Sequence, residues 1–193
     1  KPTFLMPPFG WAVLAFAAYA VYRCFTAEVS FLARDELLRV LVYTAVFFVA
    51  INNLQRQETI NAVAFTMIFL AMAVAMYGCY QYFTGDNRVW HFENPYKYRG
   101  SGTYINPNHF AGFLELLLPL GIAYTIVGRM KPVLRVLLGY ASLVMIAGIG
   151  ISLSRGGWIA AGVALILFFL VLFFHRGFRA PAAVSLLVLL SQN

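Results

Sequence analysis

Long stretches without a charged residue are the feature that most restricts the fold of this chain. Six of them cover most of its length: Pro2–Tyr22, Val40–Gln55, Thr59–Gly85, Phe110–Gly128 (broken by Glu115), Val136–Ser154 and Gly156–Phe174. An α-helix rises about 1.5 Å per residue, so about 20 residues cross the apolar core of a bilayer. The chain is 62% hydrophobic and only 11% charged, whereas soluble domains carry roughly 25% charged residues. The runs therefore predict membrane-spanning helices.

The predicted fold class is all-α: one membrane domain over residues 1–193, a polytopic transmembrane helix bundle. Strands would alternate in polarity, and these runs do not. We expect about six complete spans and a truncated seventh, at 5–23, 37–55, 60–83, 108–128, 134–153, 156–175 and 181–193. The last run, from Ala180, is only 14 residues long, so we expect this chain to be part of a longer protein.

The basic residues fit a membrane topology better than a nucleic-acid site. The net charge is +7, but the cations are scattered over loops and form no basic stripe. The 14 Lys and Arg residues divide equally between the two sides of the predicted topology. The short, almost purely basic loops at 129–135 and 175–179 favour the cytoplasm for their side. On this interpretation the long loop 84–108 and Arg155 face outward.

The sequence indicates neither a metal nor another cofactor. Cys24 and Cys79 are the two cysteines, and no spacing of Cys or His residues resembles a ligand set or a disulfide framework. Ordinary packing near helix ends is the simplest interpretation of both thiols.

The loop 84–108 interleaves aromatic residues with cations, among them Trp90, Tyr96, Tyr98, Lys97 and Arg99. Such a mixture is typical of the interfacial belt of a membrane protein. It equally suits a platform for glycans, because aromatic faces stack on sugars and Arg binds phosphate with two hydrogen bonds. Both interpretations stay open.

The segment after this loop predicts a helix with a polar face. Asn106 and Pro107 form an N-cap followed by proline at the first helical position. Asn108 and Glu115 then fall on one face of the helix, with His109 beside them, and Pro119 is expected to kink or loosen it. A glutamate inside a membrane usually faces a polar interior. Glu115 either pairs structurally with a neighbouring helix or takes part directly in the chemistry.

Arg155 lies between two uncharged runs, and Gly156 and Gly157 follow it. The unpaired N–H groups and the dipole of a helix start favour an anion. The motif therefore predicts a phosphate or diphosphate site. The alternative is an Arg that merely extends to the interface at a helical hairpin.

The motifs GTYINPNHFAGFLELLLPLG and SLSRGGWIA, with the upstream ARDELLRVLVYTAVFFVAINNL, resemble the O-antigen ligase and polymerase superfamily of bacterial inner membranes. The resemblance covers about Ala33 to Ala161. It implies a multi-pass inner-membrane protein that moves a glycan from undecaprenyl diphosphate onto an acceptor hydroxyl at the outer face. It implies that Arg155 holds the diphosphate and that no metal or nucleotide is needed. The family's catalytic base is a His in a later outer loop, which would lie beyond residue 193.

We therefore expect a glycan ligase or polymerase whose catalytic residue is unknown within this chain. Its expected partners are the lipid-linked glycan, a glycan or lipid acceptor and the bilayer. The candidate substrate-binding residues are Arg155, Gly156, Gly157, Asn108, His109 and Arg99. The candidate structural or polar intramembrane residues are Glu115, Asn106, Pro107 and Pro119. The alternative is a transporter or flippase of a lipid-linked or anionic substrate, although the internal repeat expected of many transporters is not found.

Overall fold

The protein is all-helical, as the sequence predicts. The computed structural model describes residues 4–127 and 130–174. Within these ranges the helices are α1 (Gly10–Thr26), α2 (Ser30–Asn53), α3 (Gln57–Thr84), α4 (Pro107–Ile126), α5 (Pro132–Ile151) and α6 (Arg155–Phe174). Between α3 and α4, β1 (Arg88–Val89) and β2 (Phe92–Glu93) form a short antiparallel hairpin in which Arg88 lies opposite Glu93.

Four of these helices, α3 to α6, are long and apolar enough to cross a membrane. Their most apolar segments have mean hydropathies of 1.4 to 2.6, so a membrane environment suits them. The predicted spans 5–23 and 37–55 correspond to α1 and α2, which do not belong to this group of four. The count of six complete spans is thus larger than the described helices show. The predicted seventh span, 181–193, lies outside the described residues.

The helix ends differ most from the predicted bounds in the first two elements. α1 begins at Gly10 instead of residue 5, because two successive prolines, Pro7 and Pro8, disfavour a helix before it. α2 begins at Ser30, seven residues before the predicted start. Arg39 pairs there with Asp35 at 2.7 Å and with Glu36 at 2.9 Å, and pairs at this spacing support a helix. The bounds of α3 to α6 agree with prediction within three residues.

A first compact unit ends at Val63, and within it α1 packs against α2. The segment before α1 is attached to the end of α2. The Leu5 N–H donates to the side-chain oxygen of Asn52 at 2.7 Å, and the Asn52 amide donates to the Leu5 carbonyl at 3.3 Å. The rings of Phe4 and Phe48 stack with centroids 5.7 Å apart.

The second unit begins at Ala64, and its core joins α3, α4 and α5. Ile68, Phe110, Leu114 and Met145 are fully buried there. Glycine lets the helices approach closely, as is usual between membrane helices. A Cβ atom on Gly148 of α5 would lie 2.6 Å from the Leu114 Cδ1 atom of α4. This core supports the end of the unit where the candidate site lies.

α4 continues as one helix through Pro119, where the sequence predicts a kink or a loosening. Proline has no N–H, so residue 119 cannot donate to the carbonyl four residues earlier. That carbonyl belongs to Glu115. The local effect of Pro119 is therefore the loss of one helical hydrogen bond at the glutamate.

Candidate functional site

The loop between α3 and α4 lies against the turn between α5 and α6. The Gly100 N–H donates to the Ile151 carbonyl at 3.0 Å, and the Arg99 Nε donates to the Ser152 carbonyl at 2.7 Å. A Cβ atom on Gly100 would lie 2.5 Å from the Ile151 Cδ1 atom, so the close contact depends on glycine. These bonds bring Arg99 to the same end of the unit as Arg155, as the predicted topology requires.

A buried glutamine anchors this loop to α3. The Gln81 Nε2 donates to the carbonyls of Arg88, at 2.9 Å, and Gly102, at 3.0 Å, while its Oε1 accepts from the Ser101 N–H at 3.4 Å. The Asn94 amide donates to the Ser101 hydroxyl at 2.7 Å. Gln81 is not among the residues predicted from the sequence. The available signal was a single glutamine inside the otherwise largely apolar run Thr59–Gly85.

The turn from α5 to α6 is stabilised by its own serines. The Ser152 hydroxyl donates to the Ile149 carbonyl at 2.6 Å and accepts from the Ser154 N–H at 3.2 Å. Leu153 adopts a φ of 50°, a left-handed conformation that is uncommon for a residue other than glycine. The Ser154 hydroxyl accepts from the Gly157 N–H at 3.2 Å, which is an N-cap of α6. The Gly157 N–H, expected to be free for an anion, is therefore already bonded.

The two glycines after Arg155 have different surroundings. Gly157 is buried, and a Cβ atom there would lie 2.7 Å from the Ala111 Cβ atom of α4. A Cβ atom on Gly156 would meet no atom within 4 Å. Gly157 thus allows α6 to pack against α4, whereas Gly156 leaves open space in front of the helix start.

An open cleft of about 550 Å³ lies at this helix start. It is lined by Arg99, Asn108, Glu115, Leu153, Ser154, Arg155, Gly156 and Gly157. Five of the six residues predicted to bind substrate are thus brought together in one place. His109, the sixth, is exposed and does not line the cleft.

The two arginines of the cleft differ in what holds them. Arg99 is half-buried, donates from Nη2 to the Asn108 Oδ1 at 3.0 Å, and lies 5.7 Å from the Tyr96 ring centroid. With its bond to Ser152 it is fixed in place. Arg155 is exposed and has neither a side-chain hydrogen bond nor an ion pair with any residue of 4–127 or 130–174. Its guanidinium is available to a ligand.

Glu115 lines the same cleft from α4. Its Oε2 atom is buried and has no hydrogen-bond partner in the described part of the chain. The structural pairing considered for Glu115 therefore has no counterpart among the residues that the structure describes. Asn106 and Pro107 behave as predicted: the Asn106 side chain accepts from the Asn108 N–H at 2.9 Å, and Pro107 begins α4.

A second cavity, of about 420 Å³, opens between the end of α3 and the loop. Its lining is Gln81, Tyr82, Gly85, Asp86, Asn87, Lys97, Tyr98 and Arg99. Tyr98 has a φ of 61° and is 88% exposed, so the strained backbone presents its ring to solvent. Arg99 belongs to the lining of both cavities. Of the aromatic and cationic residues of the loop, Lys97, Tyr98 and Arg99 line this cavity.

Comparison with known proteins adds no identity. No protein family model, no characterised protein and no solved structure matches the chain. The described residues contain no group of three or more His, Cys, Asp or Glu that could hold a metal ion.

Proposed function

We propose that this protein transfers or polymerises a glycan linked to undecaprenyl diphosphate, delivering it to an acceptor hydroxyl at the outer face of a bacterial inner membrane. The glycan is an O-antigen unit or another surface polysaccharide. In this proposal the protein resembles O-antigen ligases and polymerases. It has six complete membrane spans and the start of a seventh.

The cleft at the start of α6 is the observation that carries the proposal. It combines an unpaired Arg155, a fixed Arg99 and the open space in front of Gly156. Arg is well suited to bind phosphate because its planar fork donates two parallel hydrogen bonds. A diphosphate bound there would also face the positive end of the α6 dipole.

The surroundings of the cleft suit a lipid-linked donor. α4 and α6 are apolar enough to cross a membrane, and both contribute residues to the cleft near their N-terminal ends. A polyprenyl chain would remain in the bilayer while its headgroup reaches the cleft. The neighbouring cavity, with Tyr82, Tyr98 and Asp86, offers aromatic faces and hydrogen-bonding groups for the sugars.

In the proposed reaction the acceptor oxygen attacks the anomeric carbon of the donor. The bond from this carbon to the diphosphate oxygen breaks, and lipid-linked diphosphate leaves. Arg155 stabilises the charge that develops on the leaving oxygen. The base that takes the hydroxyl proton is, by the resemblance, a histidine beyond residue 193.

Replacing Arg155 in the full-length protein tests this proposal, in membranes that contain matched amounts of each variant. A hydrogen bond to a charged group contributes on the order of 1.5–3 kcal/mol, so Arg155→Ala should reduce glycan transfer at least about tenfold. Arg155→Lys keeps the charge but loses the fork, and should be partly impaired. Arg39→Ala is the matched control, because Arg39 is exposed, pairs with Asp35 at 2.7 Å and lines neither the cleft nor the neighbouring cavity.

The measured quantity is glycan transferred from an undecaprenyl-diphosphate donor to the acceptor. Full transfer by Arg155→Ala would contradict the diphosphate site. Movement of the donor across the membrane without any covalent transfer would instead support the transporter or flippase alternative.

A further inference from the structure

Glu115 and Arg155 share the cleft without forming an ion pair. Neither side chain has a hydrogen bond or an ion pair with a residue of the described ranges, and one carboxylate oxygen of Glu115 is buried. Opposite charges that line one cavity would ordinarily stabilise each other by pairing. Their separation suggests that something else lies between them when the site is occupied.

None of the described residues donates a hydrogen bond to the buried carboxylate oxygen of Glu115. The Arg99 guanidinium donates to the Asn108 side chain and to the Ser152 carbonyl. A buried polar atom without a partner is costly, and more so next to hydrocarbon. The polar requirement of Glu115 must therefore be met from within the cleft.

We propose that Glu115 accepts a hydrogen bond from the sugar that is joined to the diphosphate, while Arg155 binds the diphosphate itself. This inference rests on the proposed function. Asn108 and Glu115 are seven residues apart, so the cleft follows α4 for about 10 Å. Its volume of about 550 Å³ lies within the range of small-molecule sites. The donor is a hydroxyl or an amide N–H next to the anomeric carbon.

A phospholipid headgroup with an ammonium group could satisfy the same two charges. Phosphatidylethanolamine carries a phosphate for Arg155 and three N–H donors for a carboxylate. The shared chemistry is an anion with a hydrogen-bond donor close to it. The two candidate ligands differ in the group that donates the hydrogen bond to Glu115: a sugar in one and an ammonium in the other. The experiment distinguishes between them.

The test compares two probes: undecaprenyl diphosphate, and the same carrier bearing N-acetylglucosamine. Binding to the purified protein is measured by native mass spectrometry in nanodiscs of phosphatidylcholine, whose headgroup carries no hydrogen-bond donor. We expect the wild type to bind the sugar-bearing probe about tenfold more tightly than the bare carrier, because hydrogen bonds to a carboxylate are strong. Glu115→Met should abolish this preference, so that the variant binds both probes with equal affinity.

Leu116→Met is the matched control, since Leu116 neighbours Glu115 on α4, is 75% exposed and does not line the cleft. It should keep the preference for the sugar-bearing probe. If Glu115→Met does not fold, Glu115→Gln carries the test. Its neutral amide oxygen is a weaker acceptor, so the preference should fall to about threefold.

The outcomes separate this inference from the proposed function. A preference that persists in Glu115→Met, or in Glu115→Gln where that variant is needed, overturns the role of Glu115. Wild-type binding of both probes by Arg155→Ala overturns the diphosphate site on which the inference rests. If phosphatidylethanolamine competes with the bare carrier in the wild type but not in the Glu115 variant, the sugar is not the donor. The assignment to a sugar then fails.

Discussion

The contact between α6 and α4 predicts that two adjacent glycines respond oppositely to the same substitution. Gly157→Ala places a Cβ atom 2.7 Å from the Ala111 Cβ atom, and both atoms are attached directly to helix backbones. Neither can move unless the helices separate. Gly156→Ala places its Cβ atom in open space. Gly156 is therefore an internal control for Gly157.

The expected difference in the free energy of unfolding between the two alanine variants follows from helix propensity and from packing. Replacing glycine by alanine in a helix stabilises it by up to about 1 kcal/mol, and both variants gain this term. Only Gly157→Ala adds overpacking, which costs about 1–3 kcal/mol. Gly157→Ala should thus be less stable than Gly156→Ala by about 1–3 kcal/mol. At roughly 2–4 °C per kcal/mol for a chain of this size, the unfolding temperatures should differ by about 2–12 °C.

The unfolding temperature in detergent can be followed by tryptophan fluorescence. Trp158 lies on the first turn of α6, and its indole N–H donates to the Ile149 carbonyl at 2.9 Å, so it reports on the α5–α6 turn. The substitutions Trp11→Phe and Trp90→Phe leave Trp158 as the single tryptophan of the 193 residues. The fluorescence then reports on Trp158 alone. Equal unfolding temperatures for the two alanine variants would refute the packing argument.

A second substitution tests the contact directly. Ala111→Gly in the Gly157→Ala background removes the atom that the new Cβ meets and should relieve the overpacking, offset by up to about 1 kcal/mol for a glycine inside α4. The coupling energy from the double-mutant cycle should be about 1–3 kcal/mol. Gly156→Ala should behave differently: it should be stable yet bind the diphosphate carrier more weakly, because its methyl group enters the cleft.

Two further predictions concern the loop. Gln81→Leu removes the hydrogen-bond partner of three backbone groups, and each group left unsatisfied costs about 1–3 kcal/mol. The variant should therefore unfold at a lower temperature, and its loop should be cleaved faster by a protease. Unchanged proteolysis would contradict the anchoring role of Gln81. In a variant without Cys24 and Cys79, Tyr98→Cys should react with a membrane-impermeant thiol reagent in intact spheroplasts, and Lys131→Cys only after permeabilisation. The reverse pattern would overturn the proposed orientation.

The sequence by itself determined the helices and most of their ends. A run of apolar residues about 20 long needs no information from elsewhere in the chain to predict a spanning helix, and α3 to α6 begin and end close to the predicted residues. The start of α4 was equally local, since Asn106 caps it and Pro107 begins it. The early start of α2 was not predicted, because the charged residues 34–36 were placed outside the helix. In the structure they lie inside it, and Arg39 pairs with Asp35 and Glu36 along the helix.

Only the tertiary structure decided how the site residues are used. Arg99 reaches a carbonyl 53 residues away, and no local pattern specifies that distance. Gly156 and Gly157 are identical in sequence terms, but α4 packs behind one of them and not the other. Whether Glu115 pairs with a helix or lines a cleft depends in the same way on which donors surround it. The helices follow from short-range hydrophobicity and capping, whereas the site follows from helix packing across long sequence separations.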